Sequence, residues 1–388
     1  MVMVPEYDMI VFGGGVAGLW VANTLTRAGY NVIVIEKDKL GAGQTLASQG
    51  MIHGGQKYLL QGVMTSHAAV ASKMPARWQA NFEGRGEIDL TSVRVLSETQ
   101  IMWPAGSILS AVTVLGAAKL LRTRSRMLTK DVFPDALKNK KEFKGPVYML
   151  PEKVVDMRSL IIALAKNLAG RVLKGEINDM RPDGEVAVSG QALRAQRVIF
   201  AAGTGNELAL SMLRVTERLT QRRPLRQVMV RPLPYAFFAH GIAGNASPRI
   251  TVTSHPTGDG GYVWYLGGGV AEKGANMDEA AALRFAKKEL NEIFPEIDWN
   301  GKEWATWHGD RAEPLDARGA LPSGPVVYSR GRVLMAWPTK LTFTPALSDR
   351  IFECLEGVSP VATSAPPPLP TADIASYPWE VAAWQRIA

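Results

Sequence analysis

Cysteine is almost missing from this chain: Cys354 stands alone among 388 residues. That excludes an internal disulfide and fits a reducing cytoplasm, and with no Cys/His pairs at zinc spacing no metal is expected. Long apolar runs are absent too, none approaching the ~18 residues of a membrane-crossing helix. Met1 to Tyr7 holds no basic n-region, so no secretory signal is expected. No repeat recurs at solenoid spacing. What remains is the composition of a globular protein, 46% hydrophobic and 21% charged, at a length where one core gives way to two domains.

The formal net charge is +8, with basic clusters at Arg122–Arg126, Lys138–Lys141 and Arg222-Arg223. No nucleic-acid motif accompanies them and no aromatics interleave, so nucleic acid is not an expected partner. Solvated basic faces explain the clusters most simply. Contact with a membrane surface stays open, so the expected location is cytoplasmic, with peripheral membrane association as an option.

The segment Asp8 to Asp38 carries the most information. Met9–Phe12 is short, apolar and bounded by glycine, as a buried strand is. Gly13-Gly14-Gly15-Val16-Ala17-Gly18 follows, then a helical pattern, then Val32–Ile35 and Glu36. Gly13 permits the tight turn, Gly15 lets backbone approach a pyrophosphate, and Gly18 lets the helix lie close to the sheet. The helix N-terminus offers free N–H groups to phosphate, and Glu36 stands where an acid grips a ribose hydroxyl. A dinucleotide site is expected.

Leu40 to Gly62 is irregular and glycine-rich, with Ser48, His53, Lys57 and Tyr58 in it, which is typical of functional loops. Helices are expected over 68–82, 154–168 (capped by Asp156), 278–294 and 345–356; strands over 88–95, 197–203, 228–231, 250–253, 262–266 and 333–337. Gly267–Gly269 reads as a strand-end turn, and the proline-rich segment 358–388 as a poorly structured tail. The fold class is α/β. A Rossmann-like nucleotide domain from residues 1–80, 151–220 and 305–357 is interleaved with an α+β substrate domain, carrying a mostly antiparallel sheet, from 81–150 and 221–304.

These motifs resemble the FAD-dependent oxidoreductases of the D-amino acid oxidase superfamily, through Gly13–Glu36, the strand end Ala201-Ala202-Gly203, and Arg311 with Lys340-Leu341-Thr342 and Pro345. Ile52-His53-Gly54-Gly55-Gln56-Lys57-Tyr58-Leu59 is similar to the flavin-side motif of glycerol-3-phosphate dehydrogenases, with L-2-hydroxyglutarate dehydrogenases sharing a looser form. Lys57 stands where the former have arginine, so bidentate phosphate recognition is lost there. The resemblance implies noncovalent FAD held by Gly13, Gly15, Val16, Ala17, Gly18, Glu36, Lys37, Thr45, Ser48, Gln49, Gly50, Val155, Ala202, Gly203, Leu341 and Thr342. It also implies a small anionic substrate, oxidised at a CH–OH carbon, and an electron acceptor that is oxygen, a quinone or a protein.

Lys57, Tyr58, Arg311 and Lys340 are the candidates for substrate binding, arginine being suited to a carboxylate by its planar fork. A base with a pKa near working pH points to histidine. His53 and His255 are the leading candidates, His308 a further one, and His67 and His240 read as structural. Arg311 and Lys340 complete the expected catalytic set. Cys354 reads as core. Oxidation of an amino acid or amine, and a flavin-binding protein without turnover, are the alternatives. A monooxygenase would need a second glycine fingerprint for a nicotinamide, and none is present.

Overall fold

The computed structural model describes residues 4–54, 66–106, 125–138, 145–243, 248–316, 319, 322 and 324–387, with backbone alone over 66–71. Strand β1 (Glu6–Phe12), helix α1 (Val16–Arg27) and strand β2 (Val32–Glu36) form the expected opening unit. β1 is buried on both faces. Met9 and Val11 point into a core shared with α1 and the helices Met157–Asn167 and Thr344–Glu353. Ile10 and Phe12 point into a second core with the helix Asn206–Met212. That explains the continuous apolar run: a strand covered by helices on two sides has no polar face.

β1 pairs in parallel with β2 on one side and with β3 (Gln191–Phe200) on the other. The sheet order runs Val326–Arg330, then β6 (Val333–Trp337), β3, β1, β2 and Val172–Lys174, with two further strands off β3. The C-terminal ends of β1, β3 and β6 therefore lie side by side. A nine-stranded, mostly antiparallel sheet forms the second layer. Its longest ladder joins β4 (Thr220–Leu233) to β5 (Glu303–Pro314), from Thr220↔Pro314 to Arg231↔Glu303. One face is packed by the helix Glu279–Ile293 through Leu283, Ala286 and Leu290, and Asp278 caps that helix by accepting from Ala281 N.

Four expectations need correction. The boundary at 305 falls inside β5, which belongs to the second sheet. Residues 88–95 are not a strand; only Val95–Ser97 is. The alternation there instead points Ile88, Leu90 and Val93 inward from a turn, held by Asn81 Oδ1 accepting from Ile88 N. Gly267–Gly269 leads directly into a short helix, Gly269–Gly274. Its glycines are explained by crowding, since a Cβ on Gly269 would stand 3.0 Å from the Arg249 carbonyl oxygen.

The fourth concerns the segment after residue 357, which is a strap packed across the nucleotide domain. Its prolines keep it extended, and its backbone pairs at Leu40↔Ile374 and Leu173↔Thr371. Tyr377 and Trp379 then anchor it in the core. The Tyr377 hydroxyl accepts from Arg158 N at 2.8 Å and donates to Asp156 at 3.1 Å. Trp379 stacks on Tyr377 at 4.3 Å. Truncating such a side chain leaves a cavity, so Trp379→Ala should lower stability by about 3–5 kcal/mol. Urea unfolding followed by far-ultraviolet circular dichroism measures it; a loss below ~1 kcal/mol would mean the strap does not hold the fold.

Candidate active site

A cleft of about 610 Å³ opens where β1, β3 and β6 end, closed on its far side by β5. Its floor is built from glycines that have no room for side chains. A Cβ on Gly13, at φ +112°, would lie 2.6 Å from the Ala201 carbonyl oxygen. One on Gly18 would lie 2.0 Å from the Gly13 carbonyl oxygen, so α1 rests directly on the loop. At the start of α1, Val16 N donates to Thr45 Oγ1 at 3.2 Å. Glu36 accepts from Gly14 N at 2.6 Å and from Asp38 N at 2.9 Å, fixing its carboxylate at the rim.

Of the residues expected to hold a cofactor, Gly13, Gly15, Val16, Ala17, Glu36, Lys37, Thr45, Ser48, Ala202, Gly203 and Leu341 line the cleft. Gly18, Gln49, Gly50, Val155 and Thr342 do not, and each has a structural duty. Gln49 accepts from Thr251 Oγ1 at 2.6 Å and donates to the Tyr265 carbonyl at 3.0 Å, tying the loop to the second sheet. Gly50 and Val155 share a backbone hydrogen bond of 2.9 Å. Thr342 accepts from His53 N at 2.8 Å.

Arg311 and Lys340 both line the cleft. Arg311 sits mid-strand on β5. Its Nε and Nη2 are buried without a hydrogen-bond partner among the described residues, the closest carboxylates being Glu272 at 3.7 Å and Glu313 at 3.8 Å. Burial, then the neighbouring Arg223, push its pKa below the ordinary arginine value. Glu313 is itself buried, with Oε2 unbonded and Oε1 accepting from Arg223 at 2.8 Å. Arg222 lines the cleft and pairs with Glu207 at 2.7 Å and Asp310 at 3.5 Å. The Arg222-Arg223 cluster is therefore engaged in ion pairs at the cleft and is not simply a solvated face.

The histidines separate clearly. His53 is 43% exposed and is not among the residues lining the cleft; its backbone N donates to Thr342 Oγ1, and its Nδ1 lies 3.3 Å from Glu152 Oε2. His308 lines the cleft. His255 does not: it is 6% exposed and stacks on Trp379 at 3.9 Å. Its place among the candidate bases is corrected to the core, because a strand residue covered by the strap's aromatics has almost no access to solvent. Lys57 and Tyr58 lie outside the described residues. Cys354 ends the helix Thr344–Glu353, partly buried against the core and away from the cleft.

Sequence reading missed Trp307, Gln44 and Thr339, all on the cleft wall. Thr339 has φ +60°, which is strained for a β-branched residue. The signal for Trp307 was two residues away: Gly309 has no side chain, and a Cβ there would lie 2.4 Å from the Trp307 ring.

A family model described as "DAO: FAD dependent oxidoreductase" matches residues 8–339. The chain is 42% identical over 383 residues to the probable FAD-dependent oxidoreductase PA4991 of Pseudomonas aeruginosa, spanning 97% of this chain and 98% of that one. The crystal structure of that protein superposes with a TM-score of 0.85 at 38% identity, covering 98% and 99% of the two chains. Glycine oxidase from Geobacillus kaustophilus shares the fold at 18% identity, with a TM-score of 0.64 over 93% of this chain and 98% of that one. Mouse mitochondrial glycerol-3-phosphate dehydrogenase is 35% identical over 60 residues, 16% of this chain and 8% of that protein.

Two outcomes follow from the geometry. Gly15→Val places a branched side chain in the cleft against Thr45 and should abolish cofactor retention, read as loss of the flavin absorbance of the purified protein. Glu36→Ala, removing a rim contact, should weaken retention less. Burial pushes the His255 pKa down from 6.5 to about 3, with Asp156 opposing. The unfolded chain then binds a proton that the folded chain refuses between those values. Stability due to His255 is complete above about pH 6.5 and is lost as pH falls towards 3, by up to about 1.4 kcal/mol per pH unit. His255→Phe keeps the stack and should flatten that slope in urea titrations at pH 4 to 7; an unchanged slope would sink the assignment.

Proposed function

Because the chain belongs to the DAO family of FAD-dependent oxidoreductases, we propose that this enzyme oxidises a small anionic substrate at a CH–OH carbon. The observation that carries the reading is Arg311, a partly exposed arginine on the cleft wall whose nearest carboxylates stand 3.7 and 3.8 Å away, beyond hydrogen-bond distance. A planar fork without partners inside a cleft is suited to a carboxylate or phosphate.

The cleft fits FAD on its own evidence: a glycine floor that a Cβ would fill, a helix N-terminus opening onto it, and a rim carboxylate. Gly13, Gly15, Val16 and Ala17 would hold the pyrophosphate, Glu36 the ribose, and Ser48, Lys340 and Leu341 the ring end. FAD, when bound, supplies the two-electron acceptor. Binding is noncovalent in this reading, Cys354 being remote from the cleft.

The chain's own residues do the rest. Arg311 and Lys340 bind the anion and set which carbon reaches the ring end. Trp307 excludes water from that wall. Removing a proton from a hydroxyl requires a base, whereas an amine already presents a lone pair; His53 beside Glu152 supplies that base. A second reading, oxidation of an amino acid or amine, is favoured by Glu313, a carboxylate on the cleft wall beside Arg311 that would attract an amino group.

Anaerobic mixing with hydroxy acids, glycerol phosphates and amino acids, followed at the flavin band near ~450 nm, tests both readings. Bleaching by a hydroxy acid or glycerol phosphate is expected; bleaching by amino acids alone establishes the second. Arg311→Ala should keep its FAD and lose about 2–5 kcal/mol of substrate binding. His53→Gln should keep FAD and substrate yet slow bleaching by about 10²–10⁴-fold. Parental behaviour in Arg311→Ala removes the anchor.

A further inference from the structure

His53, Glu152 and His240 come together from three distant parts of the chain. Each offers one ligand atom, and those atoms all lie within 4.8 Å of one another, the group of this kind found among the described residues. We propose that these three residues form a binding site for a divalent transition metal of the zinc class. This proposal is independent of which substrate the enzyme takes.

The chemistry of the donor set supports it. Two imidazoles and one carboxylate are the ligands of open, four-coordinate zinc sites, in which the protein leaves one position free. Tetrahedral bonds of about 2.0–2.2 Å hold donors about 3.3–3.5 Å apart. His53 Nδ1 and Glu152 Oε2 are already 3.3 Å apart. The His53 and His240 rings stand 5.3 Å apart, tilted by 46°. Only modest closure by the half-exposed His53 is needed to complete the set.

The groups behind the ligands are also in place. His240 Nε2 lies 2.6 Å from Gln100 Oε1; donating there leaves Nδ1 as the ring's lone-pair nitrogen. Glu152 Oε1 accepts from Gly54 N at 2.6 Å, which holds the carboxylate while Oε2 stays turned to His53. Two of the ligands and the support behind one of them are buried: Glu152 is 4% exposed, His240 9% and Gln100 0%. His53 alone reaches solvent, which provides the entry path and the open position. Lys153, next in sequence, is turned away into an ion pair with Glu98. Since the His53 ring nitrogen would be bound to the ion, occupancy would take that ring out of proton transfer, making the site inhibitory.

The test is titration of chelator-stripped, FAD-loaded protein with Zn²⁺ against a chromophoric chelator. One ion per chain is expected. Glu152→Gln and His240→Ala should each weaken binding by at least tenfold, and Gln100→Leu, which touches no metal, by about 10–100-fold. His53→Ala, at a half-exposed position, guards against misfolding of the buried variants and should also lose the site, with flavin absorbance retained in all. Bound Cu²⁺ should show nitrogen hyperfine structure in electron paramagnetic resonance, lost in His240→Ala. Zinc binding that is absent, or unchanged in His53→Ala, overturns the proposal. The anaerobic substrate panel would be unaffected by that failure, so the two readings fall separately.

Discussion

Gly13 and Ala201 approach so closely that no side chain fits between them. They end two adjacent parallel strands, and Gly18 rests on the same loop from above. This contact sets the position of everything around the cleft. It fixes where α1 points its N-terminus, how far Glu36 sits from the loop, and where the end of β6 must lie, one strand further on. Crossing parallel strands of a doubly wound sheet leave a crevice at their C-terminal ends, and ligands bind there for that reason. Here the crevice is roofed by a strand from the other sheet, so the two sheets share one cleft.

The roof is positioned by a long ladder. β4 and β5 pair over twelve residues, with a register running from Arg231↔Glu303 to Thr220↔Pro314. Their inner ends are buried in the second core through Val228, Val230 and Trp304. Their outer ends carry Arg222, Arg223, Arg311 and Glu313 towards the nucleotide domain, where Arg222 meets Glu207. A rigid apolar half thus aims a charged half. Side chains borne on such a ladder hold position better than side chains on a loop.

How much of this could be read from sequence depended on the range of the interaction. The β1–α1–β2 unit is local: its glycines, apolar runs and terminal acid lie within about thirty residues, and each choice has one physical reason. The Asp156 cap was equally local and was legible. The strap was not, because its order comes from Tyr377 and Trp379 docking against residues more than a hundred positions away, while its prolines mimic a linker. His255 failed for the same reason: nothing near it in sequence announces that Trp379 covers it. Glu152 has no motif at all. Only the fold brings it to His53, 99 positions away, and His240 to both.

Two local costs persist on the walls of the cleft. Thr339 holds a left-handed backbone, a strain of about 1–3 kcal/mol for a residue of its type. Arg311 buries two N–H-bearing nitrogens without acceptors, each costing about 1–3 kcal/mol. Together these approach the whole net stability of a typical domain, about 5–15 kcal/mol. Such costs survive where the surrounding fold over-determines them, and the β4–β5 ladder and the β6 core do so here. Both residues line the cleft, so these costs sit where the chain meets whatever enters it. The cleft walls are therefore ordered by folding itself, before anything enters between them.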